Sequence, residues 1–151
     1  MKRAIMLTAG ILLFASSTAA PARLRPSLTE GNRRIVTEFA RIFYTERSVR
    51  TAFQTFVSDR YIQHNPKIAD GREAAIAALA PKFSAPGALF EIRHIIVDGN
   101  MAVIHLRGRP SAEALGGAVA DIYRLENGKI VEHWDVLQPI PAKSANANGV
   151  I

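Results

Sequence analysis

Cysteine is absent from the 151-residue chain, which excludes disulfide bonds, thiol nucleophiles and cysteine-based zinc sites. A stripe of basic residues is also lacking, because the 19 lysines and arginines are scattered among 13 acids, and this argues against nucleic-acid binding. No serine stands in a nucleophile-elbow motif. What remains is an ordinary globular composition, 48% hydrophobic and 21% charged, over a length that suits one domain.

The N-terminus has the pattern of a secretory signal peptide. Lys2 and Arg3 precede an apolar run of twelve residues, Ala4–Ala15, and small residues follow up to a cleavage point after Ala20 or Ala22. The run is shorter than the roughly 20 residues that a spanning helix needs, which argues against the alternative of an uncleaved anchor. We therefore expect a periplasmic or secreted protein without stable membrane insertion, whose net charge falls from +6 to +4 on cleavage.

Three amphipathic helices are predicted after this segment. Ser27 and Glu30 have the spacing of a capping box, and apolar residues follow at helical intervals. Ser48 is placed to cap a second helix. Asp70 is expected to cap an alanine-rich third helix that ends near Pro81 or a few residues beyond it.

From Ala88 onward the apolar period changes to two, which is typical of strands. Asn127-Gly128 is a strong signal for a two-residue hairpin turn, and Asp98-Gly99-Asn100 predicts a second hairpin with its turn at either the first or the last two of these residues. The order of elements predicts an α+β fold, with the three helices on one face of an antiparallel sheet of four or more strands. A twisted sheet of this kind leaves a pocket at its open end.

Alternation from the Asn127-Gly128 turn assigns the side chains of the last hairpin to two faces. The first face holds Asp121, Tyr123, Trp134 and Val136, and the second holds Ile122, Arg124, His133 and Asp135. An acid opposite the Trp134 indole, on a mostly apolar face, is in a place where its ionised form is poorly solvated. Asp121 is therefore the first candidate for proton transfer.

Other polar and aromatic residues are candidates for binding a ligand. His94 and His105 share a face of the first hairpin, from which they could polarise a carbonyl group. His64 and Asn65 lie at a break between helix and loop and are expected at the pocket mouth. The expected pocket walls are Tyr61, Tyr123 and Trp134.

Two further chemistries are considered. His133 and Asp135, at i and i+2, could contribute to a metal site, but the register above points them away from Asp121 and leaves no evident third ligand, so no metal is predicted. A hydrolase for small epoxides or lactones would need a second acid in the pocket to activate water. The nearest choices in the sequence are Asp59, Asp70 and Glu91, and none falls convincingly on the face of Asp121.

Two segments resemble a known family. The segment YIQHNP at 61–66, followed by Asp70-Gly71, and the segment DIYRLENGKIVEHWD at 121–135 resemble the SnoaL-like branch of the nuclear transport factor 2-like superfamily. The resemblance covers about residues 27–140. It implies a cone-shaped α+β fold, a pocket without a cofactor, and a homodimer joined through the sheet. The superfamily includes polyketide cyclases, isomerases, dehydratases, epoxide hydrolases and proteins that only bind or assemble, so the resemblance is specific for the fold and not for a reaction.

The resemblance also implies roles for single residues. In the polyketide cyclases an aspartate on a late strand is the acid/base of an aldol closure, and it is matched here by Asp121, with Asn65 as the loop asparagine and His105 as a histidine on an earlier strand. The implied function is binding of a small apolar carbonyl compound, with aldol condensation, isomerisation or dehydration at Asp121. The alternative is a non-catalytic ligand-binding or assembly domain. Because those cyclases act inside the cell, an exported chain is expected to have a different substrate.

The expected organisation is a signal peptide over 1–22, one SnoaL-like domain over 23–141, and a disordered tail over 142–151.

Overall fold

The structure is a computed structural model that describes residues 27–151. The predicted signal peptide lies outside these residues. Within them, no helix combines the length and the apolar character needed to cross a membrane. Residues 140–151 contain neither helix nor strand, and disorder of the tail stays a prediction.

Helix α1 (Leu28–Ala40) begins as the capping box predicts. The Glu30 backbone N–H donates to the Ser27 hydroxyl, and the Ser27 N–H donates to the Glu30 carboxylate. The helix then widens into a π-helical turn (Arg41–Thr45), in which the Glu46 N–H donates to the carbonyl of Arg41 five residues back, at 3.0 Å. A π turn brings residues that are five apart over one another, so the residues after it point in other directions than a regular α-helix would give them.

Helix α2 (Val49–Phe56) follows Ser48, whose hydroxyl donates to the Thr51 hydroxyl and does not cap the backbone. Helix α3 (Arg72–Ser84) ends within the predicted range. Its predicted cap is wrong, because Gly71 at φ +97° is the N-cap residue and the Asp70 carboxylate instead accepts the Gln63 N–H at 2.8 Å. A positive φ favours glycine at this position.

Five strands form one sheet in the order β1-β5-β4-β3-β2. Their bounds are β1 Val57–Gln63, β2 Leu89–Asp98, β3 Met101–Arg109, β4 Gly117–Glu126 and β5 Lys129–Pro139. Strand β1 was not predicted, and it pairs in parallel with β5, whereas all the other pairs are antiparallel. Both predicted hairpins are present, with Glu126 opposite Lys129 and Asp98 opposite Met101. The α+β prediction is confirmed.

Two β-bulges reverse the alternation that simple counting predicts. On β5, Leu125 pairs with Ile130 but Arg124 pairs with Glu132, so the residue between them on β5 is unpaired. On β2, Arg93 is skipped in the same way. An extra residue in one strand exchanges the faces of everything beyond it.

The helices pack on one face of the sheet, which we call the inner face. The core there is rich in aromatic rings, which contact one another at centroid distances of 4.3 to 5.9 Å in the pairs Phe43–Phe83, Phe39–Phe43, Phe43–Phe53 and Phe39–Phe53. Fully burying one such ring stabilises the fold by about 1.5–3 kcal/mol. We call the other side of the sheet the outer face, and no described helix packs against it.

Candidate active site

Asp121 lies in the middle of β4 on the inner face, opposite Ile104 of β3 and Asp135 of β5. The predicted pairing of Asp121 with Trp134 is wrong, because the bulge on β5 moves the register by one residue. His133 now lies opposite Tyr123, and Trp134 opposite Ile122. The inner face therefore gains His133 and Asp135 and loses Trp134 and Val136.

The Asp121 carboxylate is held between two side chains. The Tyr44 hydroxyl donates to its Oδ2 atom at 2.5 Å, and the His133 Nε2 atom lies 3.0 Å from its Oδ1 atom. Asp121 is 9% exposed and His133 is 7% exposed. A buried carboxylate with a partner on each oxygen is well ordered, and hydrogen bonds to an ionised group are stronger than neutral ones.

Tyr44 reaches Asp121 because of the π turn. It lies five residues after Phe39, and the wide turn keeps both rings in the core, with centroids 6.5 Å apart. The Tyr123 hydroxyl lies 2.6 Å from the Tyr44 hydroxyl. Since Tyr44 gives its own proton to Asp121, Tyr123 donates to Tyr44, and the two phenols form a chain that ends on the carboxylate.

Gln63 and Asn65 fix the orientation of the His133 ring. The Asn65 backbone N–H donates to Gln63 Oε1 at 2.9 Å, which orients this amide oxygen, and His133 Nδ1 lies 2.8 Å from the same oxygen. Both ring nitrogens of His133 therefore face oxygen acceptors, one from Gln63 and one from Asp121. These two contacts fix the orientation of the ring in the core.

A second acid lies beside this pair. Asp135 accepts a hydrogen bond from the Asn65 side-chain amide through its Oδ2 atom at 2.5 Å. One ligand atom from each of Asp121, His133 and Asp135 lies within 4.8 Å of the others, so these residues could hold a divalent cation. The sequence prediction that Asp121 is turned away from the other two is wrong. In the described residues their polar atoms are already engaged by Tyr44, Gln63 and Asn65.

All three tyrosines of the chain surround this cluster, and their hydroxyl groups are harder to ionise than a free phenol. Burial raises the pKa of Tyr44 and of Tyr123 well above the ordinary value, and the Asp121 carboxylate adds to the effect. Burial raises the pKa of Tyr61 in the same way. The Tyr61 hydroxyl lies 3.5 Å from the Gln63 amide nitrogen, and its ring stacks near that of His133.

The acids considered for a hydrolase lie elsewhere. Asp59 pairs with Arg72 at 2.6 Å, and Asp70 accepts the Gln63 backbone N–H. Glu91 lies 3.8 Å from Arg93 and 3.9 Å from Arg107. The second acid next to Asp121 is Asp135, which the sequence register had placed on the opposite face.

Four predicted site residues lie on the outer face. His105 lies opposite Ala120 on β4, one position from the partner of Asp121, so its side chain is on the other side of the sheet. His94 faces it across the strand pair, with 3.4 Å between the two Nδ1 atoms. Trp134 stacks on His64 with ring centroids 4.7 Å apart, and His64 bonds Glu132 at 2.8 Å. None of these four side chains forms a hydrogen bond with a side chain of the Asp121 cluster, although the His64 backbone N–H donates to the His133 carbonyl at 3.0 Å.

A cavity of about 450 Å³ lies next to the cluster. Its lining residues are Tyr44, Thr45, Arg47, Gly87, Ala88, Leu89, Phe90 and Arg109. Tyr44 belongs to both the cavity wall and the cluster, whereas Asp121 is not a lining residue. The volume is within the range of about 300–1,000 Å³ found for small-molecule sites.

Sequence reasoning brings four of the clustered residues to the site, namely Asp121, Tyr123, Tyr61 and Asn65, and misses Tyr44, Gln63, His133 and Asp135. His133 and Asp135 are lost through the bulge, which leaves no clear trace in the sequence. Tyr44 is outside the 3.6-residue pattern of α1 because of the π turn. Gln63 stands in the YIQHNP segment already singled out, two residues before Asn65, and the period-2 spacing of Tyr61, Gln63 and Asn65 was a usable strand signal.

The architecture and the enclosed polar cluster define the class of α+β cone proteins with a nuclear transport factor 2-like fold. Residues 36–133 match the SnoaL-like domain family, and the chain belongs to this family. None of the curated proteins gives a significant match.

Several solved structures share the fold. An NTF2-like protein of unknown function from Mesorhizobium loti is 20% identical, with a TM-score of 0.65 over 76% of this chain and 97% of that chain. A proposed SnoaL-like polyketide cyclase from Jannaschia sp. is 18% identical, with a TM-score of 0.59 over 77% and 91%. A proposed ketosteroid isomerase from Kribbella flavida is 13% identical, with a TM-score of 0.63 over 82% and 96%. Similarity at this level of identity shows the fold alone.

Proposed function

We propose that the protein catalyses proton transfer at the carbon next to the carbonyl group of a small, largely apolar compound, with Asp121 as the acid/base. The observation that supports this proposal is the buried Asp121 carboxylate, which lies between the His133 ring and the Tyr44 hydroxyl. The contact with the His133 ring keeps the carboxylate oriented. The names of two structural neighbours, a polyketide cyclase and a ketosteroid isomerase, belong to the same kind of chemistry.

The reaction needs Tyr44 to exchange partners. When a carbonyl oxygen enters, the Tyr44 hydroxyl turns from Asp121 Oδ2 to that oxygen, with Tyr123 as the next donor in the chain. The freed Oδ2 atom then accepts the proton from the adjacent carbon, the C–H electron pair becomes the C=C bond of an enolate, and the negative charge develops on the oxygen held by Tyr44. Return of the proton to another carbon is isomerisation, attack of the enolate on a second carbonyl is aldol condensation, and departure of a β-hydroxyl is dehydration.

The proposal is tested by hydrogen–deuterium exchange at the carbon next to the carbonyl group, followed by proton NMR in D₂O with acetophenone and 2-pentanone as probes. The wild-type protein is expected to accelerate exchange, and Asp121→Asn to lower the rate by about 10²-fold or more, the range of general acid–base catalysis. The matched control is Asp98→Asn, the same change at an exposed residue of the β2–β3 hairpin. Equal rates for the two variants would contradict the role of Asp121, and no exchange by the wild type with any ketone would favour the non-catalytic binding domain.

Hydrolysis is a second candidate, favoured by the position of Asp135 beside Asp121. Asn65 and Asp135 could hold a water molecule next to Asp121, and an acid pair can open an epoxide or a lactone by activating water and protonating the leaving oxygen. Styrene oxide is a suitable probe in oxygen-labelled water. Labelled diol formed by the wild type and lost in Asp135→Asn, with ketone exchange absent, would replace the first proposal by this one.

Export and assembly complete the proposal. We propose that the mature protein begins after Ala20 or Ala22 and is periplasmic or secreted, which N-terminal sequencing of the protein recovered outside the cytoplasm would test. We also propose a homodimer joined through the outer face, where Ile96 of β2 and Val136 of β5 are 60% and 63% exposed and Met101 lies on β3 between these strands. Apolar side chains gathered on one sheet face are typical of an interface.

A further inference from the structure

The wall of the cavity beside Tyr44 contains two arginines. Arg47 follows the π turn, and Arg109 ends strand β3, opposite Leu89 at the beginning of β2. Neither arginine forms an ion pair with a carboxylate among residues 27–151. The lining of the cavity therefore includes two arginines and no acidic residue.

The two arginines differ in their hydrogen-bond partners. Arg47 has a left-handed φ of +57° and donates from Nη1 to the Ala88 carbonyl at 3.1 Å, which leaves its other N–H groups for a ligand. The Nε atom of Arg109 is buried without a hydrogen-bond partner. A buried donor that lacks a partner costs about 1–3 kcal/mol, and an acceptor that reached this atom would relieve the cost.

Glu113 is an acid that interacts electrostatically with Arg109. The pKa of its carboxyl is lowered, first by its own backbone hydrogen bond, then by Ser111, and least by Arg109. Glu113 is exposed on the loop between β3 and β4 and is not part of the cavity wall. Glu113 therefore does not occupy the place in the cavity that a bound carboxylate would take beside the two arginines.

The rest of the wall is largely apolar. Leu89 and Ala88 contribute aliphatic surface. Phe90 stacks on Phe83 at 3.9 Å between ring centroids, which fixes the Phe90 ring as a flat wall. A ligand that fits this wall has an apolar body, aromatic or alicyclic, and an acidic group at the arginine end.

We propose that this cavity binds a small organic carboxylate, with the carboxylate at Arg47 and Arg109 and the apolar body against Phe90 and Leu89. Arginine matches a carboxylate with two parallel N–H donors, which fixes orientation as well as charge. Because Tyr44 is in the same wall, a carboxylate anchored at the arginines would present the remainder of the molecule to the Tyr44–Asp121 pair. The substrate class of the proposed reaction is then an oxo acid; this last step rests on the proposed function, whereas binding of the carboxylate does not.

The test is isothermal titration calorimetry of the full mature protein with benzoate, methyl benzoate and inorganic phosphate. Benzoate is expected to bind, and methyl benzoate to bind at least about tenfold more weakly, since it loses the charge-assisted hydrogen bonds. Phosphate is expected to bind more weakly than benzoate because it lacks an apolar body. Equal affinity for benzoate and its methyl ester would overturn the proposal, as would tighter binding of phosphate.

Substitutions then locate the site. Arg109→Gln and Arg47→Gln are each expected to weaken benzoate binding about tenfold, and Arg60→Gln to leave it within about twofold. Arg60 is an exposed arginine on β1, at the opposite edge of the sheet from β2, so this control removes the same charge far from the cavity. Equal weakening in all three variants would show an effect of net charge and refute the site. The comparison of the two wild-type ligands still decides if a variant does not fold.

The two proposals fail separately. Ketone exchange without benzoate binding would refute the carboxylate cavity and leave the proposed function in place. Benzoate binding that depends on Arg109, without exchange of the neutral ketones or of an aromatic oxo acid, would refute the proposed function and leave the carboxylate cavity in place.

Discussion

On the inner face of the sheet, His133 is buried and both of its ring nitrogens have fixed partners in Asp121 and Gln63. On the outer face, the rings of His94 and His105 stack on each other, and the one polar contact between them is 3.4 Å long. These histidines are separated by the thickness of one sheet. Their residue type alone therefore does not mark a site; the network of buried partners does, because a buried polar group is retained only where its partners are supplied.

The most direct test of this difference between the two faces is to replace one histidine on each face by alanine. His133→Ala is expected to destabilise the protein by about 3–5 kcal/mol, because it breaks the buried pair of Asp121 and His133. His105→Ala is expected to change stability by no more than about 0.5 kcal/mol, as is usual for substitutions away from buried networks. Urea unfolding of both variants measures the difference. Similar losses from the two substitutions would mean that the outer face is as tightly organised as the inner one.

A second prediction concerns stability at alkaline pH, which should depend on the inner face because all three tyrosines lie there. Burial raises the pKa of each tyrosine above its unfolded value of about 10, so their contribution to stability is full below pH ~10 and is lost as the pH rises toward the folded values. The free energy of unfolding should fall by about 1.4 kcal/mol per pH unit for each tyrosine that ionises only in the unfolded chain. Tyrosinate absorbance measured along the titration should rise together with unfolding. A tyrosine that ionises near pH 10 in the folded protein would contradict the enclosed cluster.

The smallest expected effect on the fold comes from a charge on the outer face. Val136→Lys should convert the proposed dimer to a monomer in light scattering, since a lysine opposed to its own symmetry copy is not accommodated in an apolar interface. Its effect on ketone exchange should be slight, because the Asp121 cluster is on the other side of the sheet. The control is Leu28→Lys, an exposed apolar residue on α1 and not on the sheet. A monomeric wild type would remove the assembly proposal.

The sequence predicts the elements better than it predicts their faces. The Ser27–Glu30 capping box and the Asn127-Gly128 turn are local signals, and both are present in the structure. Which side of the sheet the β5 side chains face depends on one unpaired residue, at position 131. This bulge depends on how β5 fits between β4 and β1, which is not a local property of the sequence. Strand β1 itself was missed because its residues follow α2 without a turn signal. Asp121 and Tyr123 were assigned to the correct face because they lie on β4, before the bulge, whereas Tyr61 and Asn65 were expected at the site from the YIQHNP segment and the family resemblance.

The distribution of the aromatic side chains gives the molecule two separate optical reporters. The single tryptophan, Trp134, is on the outer face against His64, and the three tyrosines are on the inner face around Asp121. Tryptophan emission will therefore follow association of the sheet, and tyrosine absorption will follow ligand binding beside Asp121. Assembly and site chemistry can be recorded in one unlabelled sample, each through its own chromophore.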